Sequence, residues 1–169
     1  MFTKYHKSFF IIIIIGVLCD QILKNIALDK LIDSPRFFGK SRLGFELAFN
    51  SGSAFSLFEN STIIITVISM LVVTFLIFYY PKCQSRAMFL AVNLVITGAF
   101  GNIIDRFVRS PYYGRGRVVD FIAILRWPTF NLADTFVSIG VLIAIISLFL
   151  ESKRIPESSN DNEQNRGLN

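Results

Sequence analysis

The sequence predicts an all-α membrane protein with four transmembrane helices and a small β-hairpin, or flap, outside the membrane-spanning part. Of its 169 residues, 53% are hydrophobic, and the mean hydropathy is positive. A transmembrane helix needs about 20 largely apolar residues, and four such stretches lie at about 8–28, 62–80, 87–107 and 130–150. Little chain is left for a soluble domain, so we expect residues 1–150 to form one helical bundle.

The first of these stretches also has features of a secretory signal peptide, with a basic beginning, Lys4 and Lys7, and an apolar core at residues 9–19. A cleaved signal peptide ends in small residues at its cleavage site. Here the core is followed by Asp20 and Gln21 instead. We therefore expect the first stretch to be retained as a membrane span.

Two longer loops and a polar tail make up the rest of the chain, at residues 29–61, 108–129 and 151–169. The tail is rich in Glu, Ser and Asn and contains Pro156, a composition that predicts disorder. Four spans put both chain ends on one side of the membrane and both longer loops on the other. Lys and Arg are frequent on both sides, so the positive-inside rule does not give the orientation. The loop arginines suit anionic lipid head groups.

The first loop contains a predicted strand at residues 43–49, where large apolar residues alternate with others. Alternation with period two predicts a half-buried strand. Residues 50–52, Asn-Ser-Gly, then predict a turn, and an apolar segment at residues 54–58 precedes the second span. The strand is either an interfacial hairpin that dips aromatic side chains into head groups, or a wall over a functional site that offers an edge to an extended peptide. The spacing leaves both interpretations open.

The second loop interleaves basic and aromatic residues, which is typical of the zone between lipid and water. Within it, residues 118–122 read Val-Val-Asp-Phe-Ile, an apolar run with Asp120 embedded. Burial penalises the charged form of a carboxyl group, so we expect the pKa of Asp120 to be raised.

Acidic and amide side chains inside the predicted spans are the main functional signal. A charged side chain at membrane depth costs a few kcal/mol and indicates a functional site by default. The topology brings these residues toward one face of the bilayer: Asp20, Asn102, Asp105, Asn131 and Asp134. On the third span, Gly98, Asn102 and Asp105 share a helix face, where a small residue permits close helix approach.

The residue inventory excludes several kinds of catalytic site. The single histidine, His6, lies in the N-terminal segment, away from the polar residues. This excludes H-E-x-x-H zinc chemistry and makes a Ser-His or Cys-His hydrolase implausible. A Ser-Lys dyad could use Lys24, yet Lys24 lies four residues after Asp20, the spacing of a helical ion pair. Carboxylates are the remaining candidates.

Asp120 and Asp134 are the acids most suited to act together. Asp120 precedes the fourth span and can fold back toward Asp134 near the start of that span. Two carboxyl groups in a partly dry site cannot both ionise easily, so their pKa values separate. One would stay protonated and polarise a carbonyl group, and the other would activate a water molecule.

Each polar residue also has a structural interpretation. Asp105 and Arg106 could form an ion pair at a helix end, where the helix dipole favours cations, and for these two we favour the structural role. Asp134 could be an ordinary first-turn acid, and Asn131 could be an N-cap. For the set as a whole we favour a functional site.

Five short motifs occur in order along the chain. They are Asp20-Gln21-x-x-Lys24, Asn50-x-Gly52-x-Ala54-Phe55-Ser56, Gly98-Ala99-x-Gly101-Asn102-x-x-Asp105-Arg106, Val118-Val119-Asp120-Phe121 and Phe130-Asn131-x-Ala133-Asp134. On these motifs the chain resembles the bacterial lipoprotein signal peptidases (signal peptidase II), a family of aspartic membrane peptidases. The resemblance extends from the first span to the fourth.

The resemblance implies removal of the signal peptide from diacylglyceryl-modified prolipoproteins, just before the lipidated cysteine, at the outer face of the bacterial inner membrane. It implies that Asp120 and Asp134 are the catalytic acids. The residues that it implies as substrate-binding or supporting are Asp20, Lys24, Asn50, Gly52, Asn102, Asp105, Arg106 and Asn131. It further implies no metal or organic cofactor, and it implies that both termini are cytoplasmic, which puts the predicted β-hairpin, or flap, on the extracytoplasmic side. We also expect membrane lipids as partners. We expect a monomer with no nucleic-acid partner.

The chain departs from the family pattern in two places, at Thr97, where the family usually has glycine, and at residues 110–116, which resemble an insertion. Two other functions stay open. A proton-coupled carrier also uses intramembrane acids, but the four spans lack an internal repeat and the acids are not at the midplane. A non-catalytic subunit could use the same polar residues to join helices.

Overall fold

The computed structural model describes residues 3–39, 43–52, 62–83, 85–109 and 114–166. The α-helices within these ranges are α1 (Thr3–Lys30), α2 (Thr62–Tyr79), α3 (Arg86–Val108) and α4 (Leu132–Arg166). A 3₁₀ turn, Tyr80–Lys82, follows α2, and the strands are β1 (Arg36–Phe37), β2 (Leu43–Asn50) and β3 (Val118–Ile124).

Each α-helix contains a segment long and apolar enough to cross a membrane. Within the described residues these segments are Phe10–Lys30, Thr62–Lys82, Arg86–Val108 and Leu132–Lys153. Large apolar side chains are exposed on all four helices, for example Phe78 on α2 at 74%. The prediction of four spans is confirmed, and these outward faces suit contact with lipid chains.

Helix α3 is central, since it packs against α1, α2 and α4. Gly98 lies so close to the Ala133 carbonyl group that a side chain there would clash with α4. On the α1 side, a Cβ atom on Gly16 would lie 2.5 Å from the Thr97 methyl carbon. Thr97, the departure from the family pattern, is therefore accommodated by a glycine on the neighbouring helix.

The three strands form one antiparallel sheet in the order β1-β2-β3. The predicted strand is confirmed as β2, but the predicted hairpin is incomplete, because β2 lies in the middle of the sheet. An irregularity between Phe45 and Ala48 shifts the β2–β3 register, and such bulges re-aim side chains. Phe45 and Phe49 are exposed, whereas Leu47 contacts a small core beneath the sheet. Beyond the bulge, Ala48 pairs with Asp120.

Two buried threonines on α2 attach both longer loops to the bundle. The Thr62 hydroxyl donates to the Ser51 carbonyl oxygen at 2.9 Å, and the Thr66 hydroxyl donates to the Gly114 carbonyl oxygen at 2.8 Å. The predicted turn at residues 50–52 is confirmed: Gly52 has a φ of 97°, and its N–H donates to Asn50 Oδ1 at 2.7 Å. The apolar segment at residues 54–58 and residues 110–113 of the insertion lie outside the described residues.

In the C-terminal segment, helix α4 continues to Arg166. The disorder that composition predicts for residues 151–169 stays a prediction. Helix propagation from a formed span adds one hydrogen bond per residue and needs no new nucleus, so the backbone continues past Pro156 despite its missing N–H.

Candidate active site

The predicted site residues converge where four elements meet. These are the C-terminal part of α1, the end of α3, strand β3 and the start of α4. The fully buried members are Asp20, Lys24, Asp105, Arg106, Asp120 and Asn131, and the half-buried members are Asn50, Asn102 and Asp134. They form two adjoining groups with different partners. We call the first the ion cluster and the second the amide ring.

The ion cluster consists of Asp20, Lys24 and Asp105. Lys24 Nζ lies 2.8 Å from Asp20 Oδ2 and 2.9 Å from Asp105 Oδ2, and it donates to Asn102 Oδ1 at 3.0 Å. An ammonium group has three N–H donors, so these three contacts satisfy it completely. The predicted pairing of Lys24 with Asp20 is confirmed. A serine dyad through Lys24 finds no support in these contacts.

Asp105 pairs with Lys24 and with Arg109, whose Nε lies 2.9 Å from Asp105 Oδ1. The structural pairing favoured for Asp105 with Arg106 is therefore wrong within the described residues. Consecutive helix positions point about 100° apart, whereas Arg109, four residues on, lies over the same helix face.

The two acids of the ion cluster accept hydrogen bonds from the chain segments that carry Asp120 and Asp134. Asp105 Oδ2 accepts a hydrogen bond from the Val119 backbone N–H at 3.1 Å, and Asp20 Oδ1 accepts one from the Ala133 N–H at 2.9 Å. Val119 immediately precedes Asp120, and Ala133 immediately precedes the other acid of the pair. Each structural acid thus fixes the backbone next to one candidate catalytic acid.

The amide ring joins Asp120 to Asp134 through Asn131. Asn131 Nδ2 donates to Asp120 Oδ1 at 2.6 Å, and Asn131 Oδ1 accepts from the Asp134 N–H at 2.9 Å. In return, the Asn131 N–H donates to Asp134 Oδ2 at 3.3 Å. This reciprocal arrangement is a capping box at the start of α4, so the N-cap interpretation of Asn131 is confirmed. The same contacts bring both acids to one side chain.

Asn102 closes the ring and connects it to the ion cluster. Its Nδ2 donates to Asp134 Oδ1 at 2.8 Å, while its Oδ1 accepts from Asn131 Nδ2 at 3.2 Å and from Lys24. Asn50, at the end of β2, hydrogen bonds the Asp120 carboxyl group. All side-chain partners of the two acids within the described residues are therefore neutral amides.

Burial, and to a smaller extent the negative charge of Asp134, raises the pKa of Asp120 to about 7. Hydrogen bonds from Asn50 and Asn131 favour the ionised form and partly oppose that rise. The raised pKa expected from the apolar run around Asp120 is confirmed. A carboxyl group with a pKa near neutrality can both hold and release a proton at physiological pH.

Arg106 lies beside this ring with an unused donor. Its side chain is buried, and its Nη1 atom has no hydrogen-bond partner among the described residues. Gly52 lies next to it, since a Cβ atom there would approach Arg106 Nη2 to 3.4 Å. The strand-end turn and the arginine thus border the same space.

Sequence analysis assigned no role to two residues of the ion cluster's surroundings, Gln21 and Arg109. Gln21 Nε2 donates to Asp105 Oδ1 and to the Gly101 carbonyl oxygen, both at 3.0 Å, and to Asp20 Oδ2 at 3.2 Å. A signal was present, because Gln21 is an amide at membrane depth and Arg109 lies four residues after Asp105. Within the described ranges, no group of three or more His, Cys, Asp or Glu side chains is arranged to hold a metal ion.

Fold and site together define a multi-pass membrane enzyme architecture, with a polar centre inside a four-helix bundle and a small sheet over one end. The family described as signal peptidase (SPase) II matches residues 12–150, and the chain belongs to this family. The protein is therefore a membrane peptidase of the lipoprotein-processing type, whose family removes signal peptides from lipoprotein precursors.

Relatives and solved structures agree with this assignment. The lipoprotein signal peptidase of Halothermothrix orenii is 34% identical over 146 residues, covering 85% of this chain and 97% of the relative. That of Microcystis aeruginosa is 34% identical over 162 residues, covering 92% and 100%. A bacterial membrane enzyme solved by the in meso method at 2.3 Å superposes with a TM-score of 0.75 at 26% identity, covering 88% of this chain and 91% of that one.

Proposed function

We propose that this chain is an aspartic endopeptidase that cleaves diacylglyceryl-modified prolipoproteins just before the lipidated cysteine, with Asp120 and Asp134 as the catalytic pair. The observation that carries the proposal is the amide ring, in which one asparagine, Asn131, contacts both acids. A pair of acids that share neutral partners and burial can divide one proton between them.

Asp120 carries the shared proton in the free enzyme, because its burial and the nearby charge of Asp134 both favour its neutral form. Its O–H donates to the scissile carbonyl oxygen while ionised Asp134 removes a proton from a water molecule held between the two acids. The resulting hydroxide attacks the carbonyl carbon and forms a tetrahedral intermediate. Asp134 then gives the proton taken from water to the amide nitrogen as the C–N bond breaks, and Asp120 recovers the proton passed to the carbonyl oxygen as the C=O bond re-forms. The reaction therefore needs no covalent intermediate.

The partners of Asp134 are uncharged, so the proton that it takes from water can leave it again. Asn102 and the Asn131 N–H hold both oxygens of Asp134, which orients the base without neutralising it by an opposite charge. Arg106 supplies its unused Nη1 donor to a carbonyl group of the substrate peptide. Gly52 keeps the space beside Arg106 free for that peptide.

The substrate approaches from the membrane. The diacylglyceryl group enters laterally between helices, and the peptide lies under β2. In the described residues β1 pairs with β2 only at Gly44 and Phe45, so the edge of β2 beyond Phe45 has no pairing with β1. The enzyme acts as a monomer in the bacterial inner membrane, with both termini cytoplasmic and the site near the outer leaflet. This depth agrees with acids that lie at the end of α3 and the start of α4 rather than at the middle of a span.

The test is cleavage of a purified lipidated prolipoprotein by wild type, Asp120→Asn and Asp134→Asn. Both variants should release signal peptide at least 10³-fold more slowly, at the upper range of general acid–base contributions of roughly 10²–10⁴. Asp29→Asn is the matched control, because Asp29 is an exposed acid on α1. A carrier or a non-catalytic subunit would release no peptide in any version. Near-normal turnover by a folded Asp120→Asn or Asp134→Asn would remove that residue from the mechanism.

A further inference from the structure

An exposed apolar turn lies between β3 and α4, at residues 124–127. Leu125 is 59% exposed and Trp127 is 69% exposed. The Trp127 N–H closes the turn by donating to the Ile124 carbonyl oxygen at 2.9 Å. Leu125 has a φ of 50°, a left-handed conformation that is uncommon for residues other than glycine. The turn therefore exposes large apolar side chains, and one of its residues, Leu125, has a backbone conformation that leucine does not favour.

This turn borders an open groove of about 490 Å³. The groove is lined by Ile124, Leu125, Arg126, Trp127 and Phe130. Its lining is apolar except for one guanidinium group, that of Arg126. An apolar hollow with a single cation at its border has the chemistry of a site for an amphiphile with an anionic head.

The groove continues into an apolar strip on the sheet. Leu43 pairs with Ile124 across β2 and β3, and Phe45 pairs with Ile122, so these four side chains share one face of the sheet. The Phe38 ring extends the strip by packing edge-on against Phe45, with ring centroids 6.1 Å apart. An exposed apolar strip of this extent marks an interaction surface.

The strip and groove adjoin the membrane-crossing part of the protein. The α4 segment that is apolar enough to cross a membrane begins at Leu132, a few residues beyond Trp127. Tryptophan is enriched at the boundary between lipid and water, and an arginine there attracts anionic head groups. Continuity with the membrane surface and charge complementarity at Arg126 point to one occupant, the phospholipid bilayer.

We propose that residues 124–127 form an interfacial anchor that docks into the outer lipid surface, with Trp127 among the upper acyl carbons and Arg126 on an anionic phosphate. The anchor is coupled to the candidate active site through Phe130. The Phe130 carbonyl oxygen accepts from the Ile122 N–H at 2.8 Å, and its N–H donates to the Ile122 carbonyl oxygen at 3.1 Å. Phe130 also directly precedes Asn131, so the anchor fixes the depth of the amide ring.

The chain offers a direct reporter of this docking, because Trp127 is its single tryptophan. The enzyme is placed in nanodiscs of phosphatidylcholine and phosphatidylglycerol, without substrate, and Trp127 emission is recorded. We expect emission shifted to shorter wavelength than that of the protein unfolded in denaturant, strong quenching by lipids brominated near the head group, and weak quenching by aqueous iodide. Full iodide accessibility with no quenching by any brominated lipid would overturn the proposal.

The contact between Arg126 and an anionic lipid phosphate is tested by a second comparison. In wild type, replacing phosphatidylcholine by phosphatidylglycerol should increase quenching by brominated lipid, and Arg126→Gln should abolish that increase. An equal response of wild type and Arg126→Gln would exclude the phosphate contact. Arg36→Gln is the matched control, because Arg36 is also an exposed arginine of the sheet but lies on β1 outside the groove. It should respond to phosphatidylglycerol as wild type does.

The depth-setting role rests on the proposed function and is tested by cleavage. Trp127→Ser should raise the KM for a lipidated precursor several-fold in nanodiscs, leave kcat nearly unchanged, and show a much smaller difference in detergent micelles. Trp127→Phe, which keeps an apolar ring, should restore most of the loss. An equal decrease of kcat in both media would identify a folding role for Trp127 and overturn its depth-setting role.

The fluorescence result does not depend on catalysis, since an inactive Asp134→Asn enzyme should give the same quenching. Failure of the proposed peptidase mechanism is therefore recognised separately from failure of the anchor.

Discussion

Two pairs of acids lie side by side in this protein, and their partners differ. Asp20 and Asp105 share a buried ammonium group, that of Lys24, at 2.8 and 2.9 Å. Asp120 and Asp134 instead accept hydrogen bonds from the side-chain amides of Asn131 and Asn102, and no ion pair involves either acid among the described residues. An opposite charge close to a carboxyl group favours its ionised form, whereas a neutral amide brings no opposite charge. The two pairs of acids therefore differ in the charge of their partners.

The comparison also explains why both pairs are present. The structural acids accept hydrogen bonds from the Val119 and Ala133 backbones, and each of these residues precedes one acid of the second pair. The hydrogen bonds of the amide ring alone would not fix the position of the proposed catalytic pair rigidly. The ion cluster supplies that mount, because all three donors of its lysine are used. Active-site precision of this kind depends on supporting residues whose own positions are fixed.

The largest expected effect comes from removing the cation. Lys24→Met leaves Asp20 as a buried carboxylate without a counter-charge and leaves Asp105 with Arg109 alone; breaking a buried pair in this way costs about 3–5 kcal/mol. The free energy of unfolding in mixed micelles should fall by that amount, and cleavage should be lost with it. Lys30→Met is the control, because Lys30 lies on the same helix with its side chain 64% exposed. Equal stability of both variants would show that the ion cluster does not hold the bundle together.

The second prediction concerns how the free energy of unfolding depends on pH through Asp120. The pKa of Asp120 in the fold is about 7, above its ordinary value of 3.8, so the folded state binds more protons than the unfolded state between these values. Stability from this group is full below the lower value and is lost as the pH rises toward the higher one. Asp120→Asn cannot ionise, so its stability relative to wild type should increase by about 2–3 kcal/mol between pH 5 and pH 8.

Unfolding titrations of both proteins across this pH range provide the measurement. Asp29→Asn should track wild type, since Asp29 is exposed. A constant difference between Asp120→Asn and wild type would mean that Asp120 ionises normally. The same experiment separates stability from turnover, because the variant that gains stability at high pH is one that should lose catalysis.

A third prediction tests a residue to which sequence analysis gave no role. Gln21 donates to both acids of the ion cluster and to the Gly101 carbonyl oxygen. Gln21→Leu removes these hydrogen bonds, although Lys24 still holds Asp20 Oδ2 and Arg109 still holds Asp105 Oδ1. We therefore expect a loss of about 1–2 kcal/mol in the free energy of unfolding, less than the loss on removing Lys24. Thermal unfolding in detergent measures the effect. Gln21→Glu adds a third acid beside Lys24 and should be the worse of the two; the reverse order would mean that packing, not hydrogen bonding, is the role of Gln21.

These contacts show where sequence reasoning succeeds and where it ends. Local rules predicted the four spans, the pairing of Lys24 with Asp20 four residues apart, the N-cap at Asn131 and the turn at Gly52. Strand β3 has no alternation because almost every residue in it is buried, so periodicity could not distinguish it from a buried loop or helix segment. Strand β1 has two residues, too few for any period.

Contacts between distant helices were the other gap. The pairing of Asp105 with Lys24 joins residues far apart in sequence, and no helix-face rule reports which neighbouring helix a side chain meets. Sequence analysis therefore assigned Asp105 to the adjacent Arg106. The five motifs predicted a set of site residues, and the structure brings most of that set together. The division of the set into an ion cluster and an amide ring required the fold.

The smallest expected effect, and one of opposite sign, concerns a third kind of buried polar group. Asn93 lies on α3 with its side chain fully buried, and neither its Nδ2 nor its Oδ1 atom has a hydrogen-bond partner among the described residues. Replacing an unpartnered polar group by an apolar one of similar shape removes its desolvation penalty, so Asn93→Leu should raise the free energy of unfolding by about 1 kcal/mol and leave kcat unchanged. Asn102→Leu, on the same helix, should lower both, because Asn102 serves both acid groups. Thermal unfolding and cleavage assays on the two variants compare an amide without partners with one that joins the two clusters. A destabilised Asn93→Leu would reveal a bound partner for Asn93, such as a buried water molecule.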